Sequence, residues 1–261
     1  MRDLTETFLD KIIRDEQEKA RVAMDKKPDN SQYKCPRCQD MGYYKLVIDG
    51  YDYVTKCKCD IVFDNRINET GLPDTYKNKT FDNFHSINDS ATNARKFCLN
   101  FISKYPNNPK GLLFLGSCGT GKTHLAAATI RALSIKGQTG MLFVDSREML
   151  SEIKATFDKR KEISEQEVLE KYKKASILCI DDLGAEQHTE WTDSIFSHVI
   201  NARYNKGLKL FITTNYMDAP RTGTPSLTDR IGKRSRSRLY EMCADIFINA
   251  HDYRRRNIRP N

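Results

Sequence analysis

Two groups of residues in this chain have the types and spacing to do chemistry: a glycine, lysine and threonine run, and two pairs of cysteines. The run is GSCGTGKT, Gly116 to Thr123. It fits the pattern G-x-x-x-x-G-K-[ST], in which backbone N–H groups cradle phosphate. Gly116, Gly119 and Gly121 let the backbone turn tightly and aim its N–H groups inward. Ser117, Cys118 and Thr120 fill the remaining positions of the loop. Lys122 brings a positive charge to the β and γ phosphates, and Thr123 offers a hydroxyl to Mg²⁺. The helix opening there, with His124 in its first turn, adds its positive dipole end. This is the chemistry of binding a nucleoside triphosphate with Mg²⁺.

A second stretch, ILCIDDLGAE (177–186), ends an apolar run in two acids. Asp181 is placed to hold Mg²⁺, directly or through water. Asp182 is placed to orient and polarise an attacking water. Farther on, FITTN (211–215) ends in Asn215, a residue type that can hold that water or sense the γ-phosphate. A Thr-Thr-Asn strand end is also ordinary turn chemistry.

The cysteines are Cys35 and Cys38, then eighteen residues, then Cys57 and Cys59. Four thiolates in two close pairs suit tetrahedral Zn²⁺, and the first pair has knuckle spacing. Four protein ligands leave no open position, so the expected site is structural. The intervening YYKLVIDGYDYV alternates in polarity and turns at Asp49-Gly50, a hairpin signal that would bring the pairs together. The other four cysteines, Cys98, Cys118, Cys179 and Cys243, lie among apolar segments and read as small core residues.

The elements that must position these groups follow from periodicity. Residues 1–24 show Leu4, Phe8 and Ile12 at helical spacing, an amphipathic helix. NETGLPDTYKNKTFDNF (68–84) has the Gly, Pro and Asn content of a connector. From about residue 90 short apolar runs alternate with helix-length segments: GLLFL (111–115), GMLFVD (140–145), SILCID (176–181), LKLFITTN (208–215) and ADIFINA (244–250). Nearly continuous apolar runs read as parallel strands buried on both faces. The expected architecture is a three-layer α/β fold on a five-stranded parallel sheet. The expected division is an adaptor over residues 1–59, a linker over 60–89 and the main α/β domain over 90–261.

Composition narrows the classes. With 261 residues, 39% hydrophobic and 30% charged, the chain reads as soluble and globular. No apolar window is long enough to span a membrane, and the N-terminus is too charged for a secretory signal. The expected compartment is the cytosol. The net charge is +8, and residues 221–261 contain ten Lys or Arg against four Asp or Glu. A basic face attracts polyanions, although a solvated surface would read alike. The densest part is LTDRIGKRSRSRLYEMC (227–243), and a ring of ATPases has a use for it: one subunit's arginine completes its neighbour's site.

Residues 68–256 resemble the AAA+ ATPases of the bacterial replicative-helicase loader group, the DnaC/DnaI type, with the IstB-like transposition helpers as relatives. The segments that carry the resemblance are GLPDTYKNKTFDNF, GSCGTGKTHLAAA, ILCIDDLGAE, LFITTN, RSRSRLYEM and HDYRRR. The resemblance implies a P-loop NTPase sheet in the order 5-1-4-3-2, ATP and Mg²⁺ as cofactors, and assembly into a ring or open spiral. It makes Asn215 the first sensor, Arg238 the arginine finger, with Arg234 and Arg236 as the other candidates, and Arg254 the second sensor. Asp182 departs from a common Glu, which implies slow hydrolysis. The short run after the last strand implies no full helical lid. The family's inserted helical element falls at residues 146–175, where Lys154, Lys159, Arg160 and Lys161 would follow a single-stranded DNA backbone; six glutamates there make a solvated helix pair the alternative. Loaders of the DnaI type carry an N-terminal zinc adaptor that grips the hexameric replicative helicase, which is the partner expected here. Other readings are a DNA-contacting zinc element, a transposase partner, or an ATP-dependent adaptor that does not hydrolyse.

Overall fold

The computed structural model describes residues 35, 38, 43–48, 51–56, 66–86, 88–157, 164–219 and 223–254. The expected N-terminal helix, Cys57, Cys59, and Lys159, Arg160 and Lys161 lie outside the described residues. Two strands, β1 (Tyr43–Ile48) and β2 (Tyr51–Lys56), pair antiparallel with Ile48 opposite Tyr51. The pairing is that of a hairpin, and Asp49 and Gly50, where its turn is expected, lie outside the described residues.

The sheet comprises β3 (Gly111–Leu115), β4 (Leu142–Asp145), β5 (Ile177–Asp181), β6 (Lys209–Thr214) and β7 (Cys243–Phe247), in the order β4-β5-β6-β3-β7. Every pairing is parallel. Counted along the domain this is 5-1-4-3-2, as expected. Alternation along β3 explains the layers. Leu112 and Phe114 enter one buried cluster with Phe101, Leu125, Ile130 and Phe211. Leu113 and Leu115 enter another with Met149, Tyr172, Phe196 and Leu239.

The first face is covered by α2 (Asp89–Lys104) and α3 (Lys122–Ile135), which follow the short α1 (Asp74–Lys77). Ala91, Ala94, Cys98 and Phe101 put α2's buried stripe at helical spacing. On the second face lie α4 (Ser146–Lys154), α5 (Glu165–Lys174), α6 (Glu190–Lys206), α7 (Leu227–Ile231) and α8 (Lys233–Met242). Their starts are written in capping residues. Asp145 accepts from the N–H groups of Arg147 and Glu148, and Ser164, Thr189 and Ser226 each form a reciprocal capping box.

Residues 66–86 fall within the stretch read as a linker, yet they pack on the α/β core. Ile67, Leu72, Phe81 and Phe84 are buried in the first cluster. Thr70 O accepts from Phe143 N at 2.6 Å, and Phe81 O accepts from Arg95 Nε at 2.9 Å. Gly, Pro and Asn marked turns correctly, but turn content says nothing about whether a segment is attached.

Candidate functional site

The P-loop joins β3 to α3, so the sheet's C-terminal edge presents it. Gly121 at φ +94° is the N-cap of α3, and Gly119 has φ +74°. Both are conformations that side chains disfavour. A Cβ on Gly121 would lie 2.6 Å from the Phe84 ring, and one on Gly119 would overlap the Asp252 carboxylate. The two glycines therefore admit close neighbours from residues 80–86 and from the stretch after β7. Those neighbours, the loop and α1 border a cleft of about 560 Å³, lined by Tyr76, Lys79, Phe84, His85, Gly119 to His124, Tyr253 and Arg254 among others. His85 and Tyr253 stack with ring planes 7° apart. Tyr253 N donates to Gly119 O at 3.0 Å, tying the post-β7 segment to the loop.

Lys122 is buried, and its Nζ donates to Ser117 O at 2.8 Å and to Asn215 Oδ1 at 2.7 Å. Asn215 in turn donates from Nδ2 to Asp182 Oδ1 at 2.6 Å. The loop lysine, the residue after β6 and the second acid after β5 thus form one chain of hydrogen bonds. Asp181 is buried beside them, and Thr213 donates to its Oδ1 at 2.6 Å. Burial lowers the Lys122 ammonium's affinity for its proton and raises that of the Asp181 carboxyl, the latter opposed by the Thr213 and Thr123 hydroxyls. Both charged groups have neutral hydrogen-bond partners. Asp181 and Asp182 act on Lys122 through space without bonding to it. A phosphate at Lys122 and a cation at Asp181 would add direct charge pairing, so these residues fit a magnesium–triphosphate ligand.

Other expected site residues are placed as follows. His124 engages Thr80 O through Nε2 at 2.8 Å and meets the Phe84 ring edge-on, which leaves its ring occupied by the protein. Cys118 is exposed on the loop, which corrects its reading as a core residue; Cys98, Cys179 and Cys243 are buried as expected. Arg254 lines the cleft with its Nε 3.2 Å from Asp252 Oδ1. On α8 the alternative fingers separate. Arg236 is 2% exposed and donates to both Asp218 and Asp245, so it is not available to a neighbouring subunit. Arg238 is partly exposed over the Tyr204 ring, and Arg234 is exposed.

Lys154 lies over the Trp191 ring at 5.3 Å, and Lys171 pairs with Glu152 at 2.8 Å. Cys35 and Cys38 are buried. Among the described residues no group of His, Cys, Asp or Glu forms a metal cluster, and half of the expected zinc ligands lie outside them. Also among the described residues, no helix is long and apolar enough to cross a membrane.

Two residues that sequence reading missed complete the edge. Arg230 donates to the carbonyls of Gly184 and Glu186 and lies over the Tyr216 ring, which locks the turn after the acids to the loop after Asn215. Thr213 bonds both acids. Its signal was its position two residues before Asn215 on a strand expected beside the acidic one.

The family described as "Bacterial DnaA ATPAse domain" matches residues 75–241. The replicative helicase loader DnaC of Escherichia coli (strain K12) is 26% identical over 172 residues, covering 66% of this chain and 67% of the relative. Phage-like element PBSX protein XkdC of Bacillus subtilis (strain 168) is 23% identical and covers 94% of each chain. A crystal structure of the DnaC helicase loader superposes with a TM-score of 0.59 at 33% identity, over 67% of this chain and 99% of that one. The family match over residues 75–241 and the 33% identity to a DnaC helicase loader covered over 99% of its length show that the chain belongs to the DnaC-type helicase-loader group of AAA+ ATPases.

Proposed function

We propose that this chain is an ATP-dependent loader of the hexameric replicative DNA helicase, in which ATP binding and slow hydrolysis time an assembly on single-stranded DNA. The observation that carries the proposal is the chain Lys122–Asn215–Asp182. It connects the phosphate loop to the residue that would polarise water, through a side chain able to register what occupies the site.

Thr123 and Asp181 would hold Mg²⁺, which neutralises charge on the β and γ phosphates when bound. Lys122, released from Asn215, turns its ammonium to the phosphates. Asn215 and Asp182 then orient the attacking water, and Asp182 accepts its proton. Arg238 reaches from one subunit toward the site of the next in a ring or spiral, while Arg254 leaves Asp252 for the phosphates of its own site. Differential stability of the ATP-bound and ADP-bound arrangements is what shifts the population between grip and release.

Residues 1–59 form the adaptor that binds the helicase, with Cys35, Cys38, Cys57 and Cys59 holding a structural zinc. The hairpin register supports this reading, since Lys56, next to Cys57, lies opposite Tyr43, five residues past Cys38. Single-stranded DNA follows Lys154, Lys159, Arg160 and Lys161 on the insert.

Native mass spectrometry of the full chain with the host's hexameric helicase and ATP tests the proposal. A defined complex that is lost in the Cys35→Ser, Cys38→Ser double variant is the expected result. No complex, with ATP binding intact, would contradict the loader reading and direct attention to a transposase partner.

A further inference from the structure

The two acids at the end of β5, Asp181 within it and Asp182 just past it, have opposite requirements. One must present its carboxylate to a cation, and the other must aim at water from an adjacent position in the chain. Asp182 meets its requirement in a left-handed conformation, φ +56°, the one non-glycine residue with positive φ among the described residues. Aspartate adopts that conformation more readily than most residues with a Cβ, though less readily than glycine, and here its neighbours hold it.

The neighbour is Thr213, 1% exposed on β6. Its hydroxyl donates to Asp181 Oδ1 at 2.6 Å and accepts from Asp182 N at 2.9 Å. One hydroxyl thereby uses both its donor and its acceptor capacity on consecutive residues. The backbone around it is clamped as well. Leu183 N donates to Thr213 O at 2.8 Å, and Thr214 Oγ1 donates to Leu183 O at 2.7 Å. Asn215 and Ser146 bond Asp182 and the Thr123 hydroxyl bonds Asp181, but Thr213 is the residue whose one hydroxyl bonds both acids.

We infer that Thr213 is a positioning residue for hydrolysis: its single hydroxyl aims the Asp181 carboxylate at the cation and holds Asp182 in the left-handed turn that points it at Asn215. The inference rests on the nucleotide-site reading above. It goes further by assigning the alignment of both acids to a buried residue on the neighbouring strand. The bond to Asp181 Oδ1 fixes the rotation of the carboxylate, and with it the direction in which its oxygens face. The adjacent N–H bond fixes where the chain turns next. Valine has the shape and strand preference of threonine without the hydroxyl, and serine keeps the hydroxyl, so the two substitutions separate shape from hydrogen bonding.

The test uses the full chain and the fluorescent analogue mant-ATP, titrated in EDTA and again in Mg²⁺, together with single-turnover ATP hydrolysis. Thr213→Val is expected to bind mant-ATP in EDTA within about twofold of wild type, because Lys122 and the loop are untouched. Its Mg²⁺-dependent gain in affinity and its hydrolysis rate are each expected to fall ~10–100-fold, the usual loss when a metal ligand's hydrogen-bonded support is removed. Thr213→Ser is expected to restore both. Asp182→Asn, run alongside, should lose hydrolysis while keeping the Mg²⁺-dependent gain. A Thr213→Val protein that keeps wild-type Mg²⁺ dependence and rate overturns the inference. So does one that loses EDTA binding and thermal stability together, since that marks a purely structural role. A wild-type chain with neither Mg²⁺-dependent binding nor hydrolysis would overturn the nucleotide-site reading itself.

Discussion

Buried charge is handled in two different ways at the two sides of this domain. At the sheet's C-terminal edge, Lys122 is held by a carbonyl and an amide, and Asp181 by a hydroxyl. In α8, Arg236 is held by two carboxylates, Asp218 and Asp245, and stacks over Tyr240 at 3.7 Å. Burial opposes the Arg236 charge, but the two aspartates outweigh it and bind its protons more firmly than usual. In the first arrangement Asp181 and Asp182 act on Lys122 only through space, and direct charge pairing is left to a ligand. The second is balanced internally and serves the fold. An ionisable group buried among neutral partners is therefore the better pointer to function here than burial or charge alone.

The same contrast runs along α8 itself, where Arg238 lies one turn from Arg234 and two positions from Arg236. The largest effect is expected from Arg238→Ala, which should lower hydrolysis by the assembled protein by about 10³-fold or more if it completes a neighbour's site. Nucleotide affinity and melting temperature should stay near wild type. Activity measured in mixtures with an excess of Asp182→Asn subunits would show whether the arginine acts between subunits. Unchanged turnover would move the finger to Arg234.

Arg236→Met should do the reverse. Removing one partner of a buried ion pair costs about 3–5 kcal/mol, and the lower end applies because Asp218 and Asp245 retain some access to water. Urea unfolding should show a reduced midpoint, with mant-ATP binding retained wherever the protein is folded. A wild-type midpoint would break the comparison, because Arg236 would then be no more structural than Lys122.

The smallest effect concerns His124, whose burial depresses its affinity for a proton. In the unfolded chain the imidazole titrates near ~6.5. Below that pH the unfolded state takes up the proton first, so stability falls as pH drops from about 6.5 toward the folded-state value and is level above it. Thermal unfolding between pH 5 and 8 should show this slope, and His124→Gln should flatten it.

Much of the site was legible because its parts are contiguous in the chain. The loop from Gly116 to Thr123, the acids Asp181 and Asp182, and Asn215 each follow an apolar strand, so position on the sheet edge came with the motif. The strand order is a different matter. No short-range signal encodes it, and it was available only through the family resemblance. The role of Thr213 could not be read because it depends on which strand lies beside β5 and on a hydroxyl's direction. Ile67, Leu72, Phe81 and Phe84 are spaced without helical or strand periodicity among turn residues, so their attachment to the core was hidden. Arg236 and Arg238 are the same residue type two positions apart, and only packing separates a structural arginine from one free to face a neighbour.

Isothermal titration calorimetry of ATP with Mg²⁺ into the full chain and into Lys122→Ala tests the central claim most directly. One bound nucleotide per chain in the wild type, with binding lost or reduced at least ~100-fold in Lys122→Ala, is the result that charge-assisted hydrogen bonds from a buried ammonium to phosphate predict. Absence of binding in the wild type, or equal affinity in the variant, would contradict it.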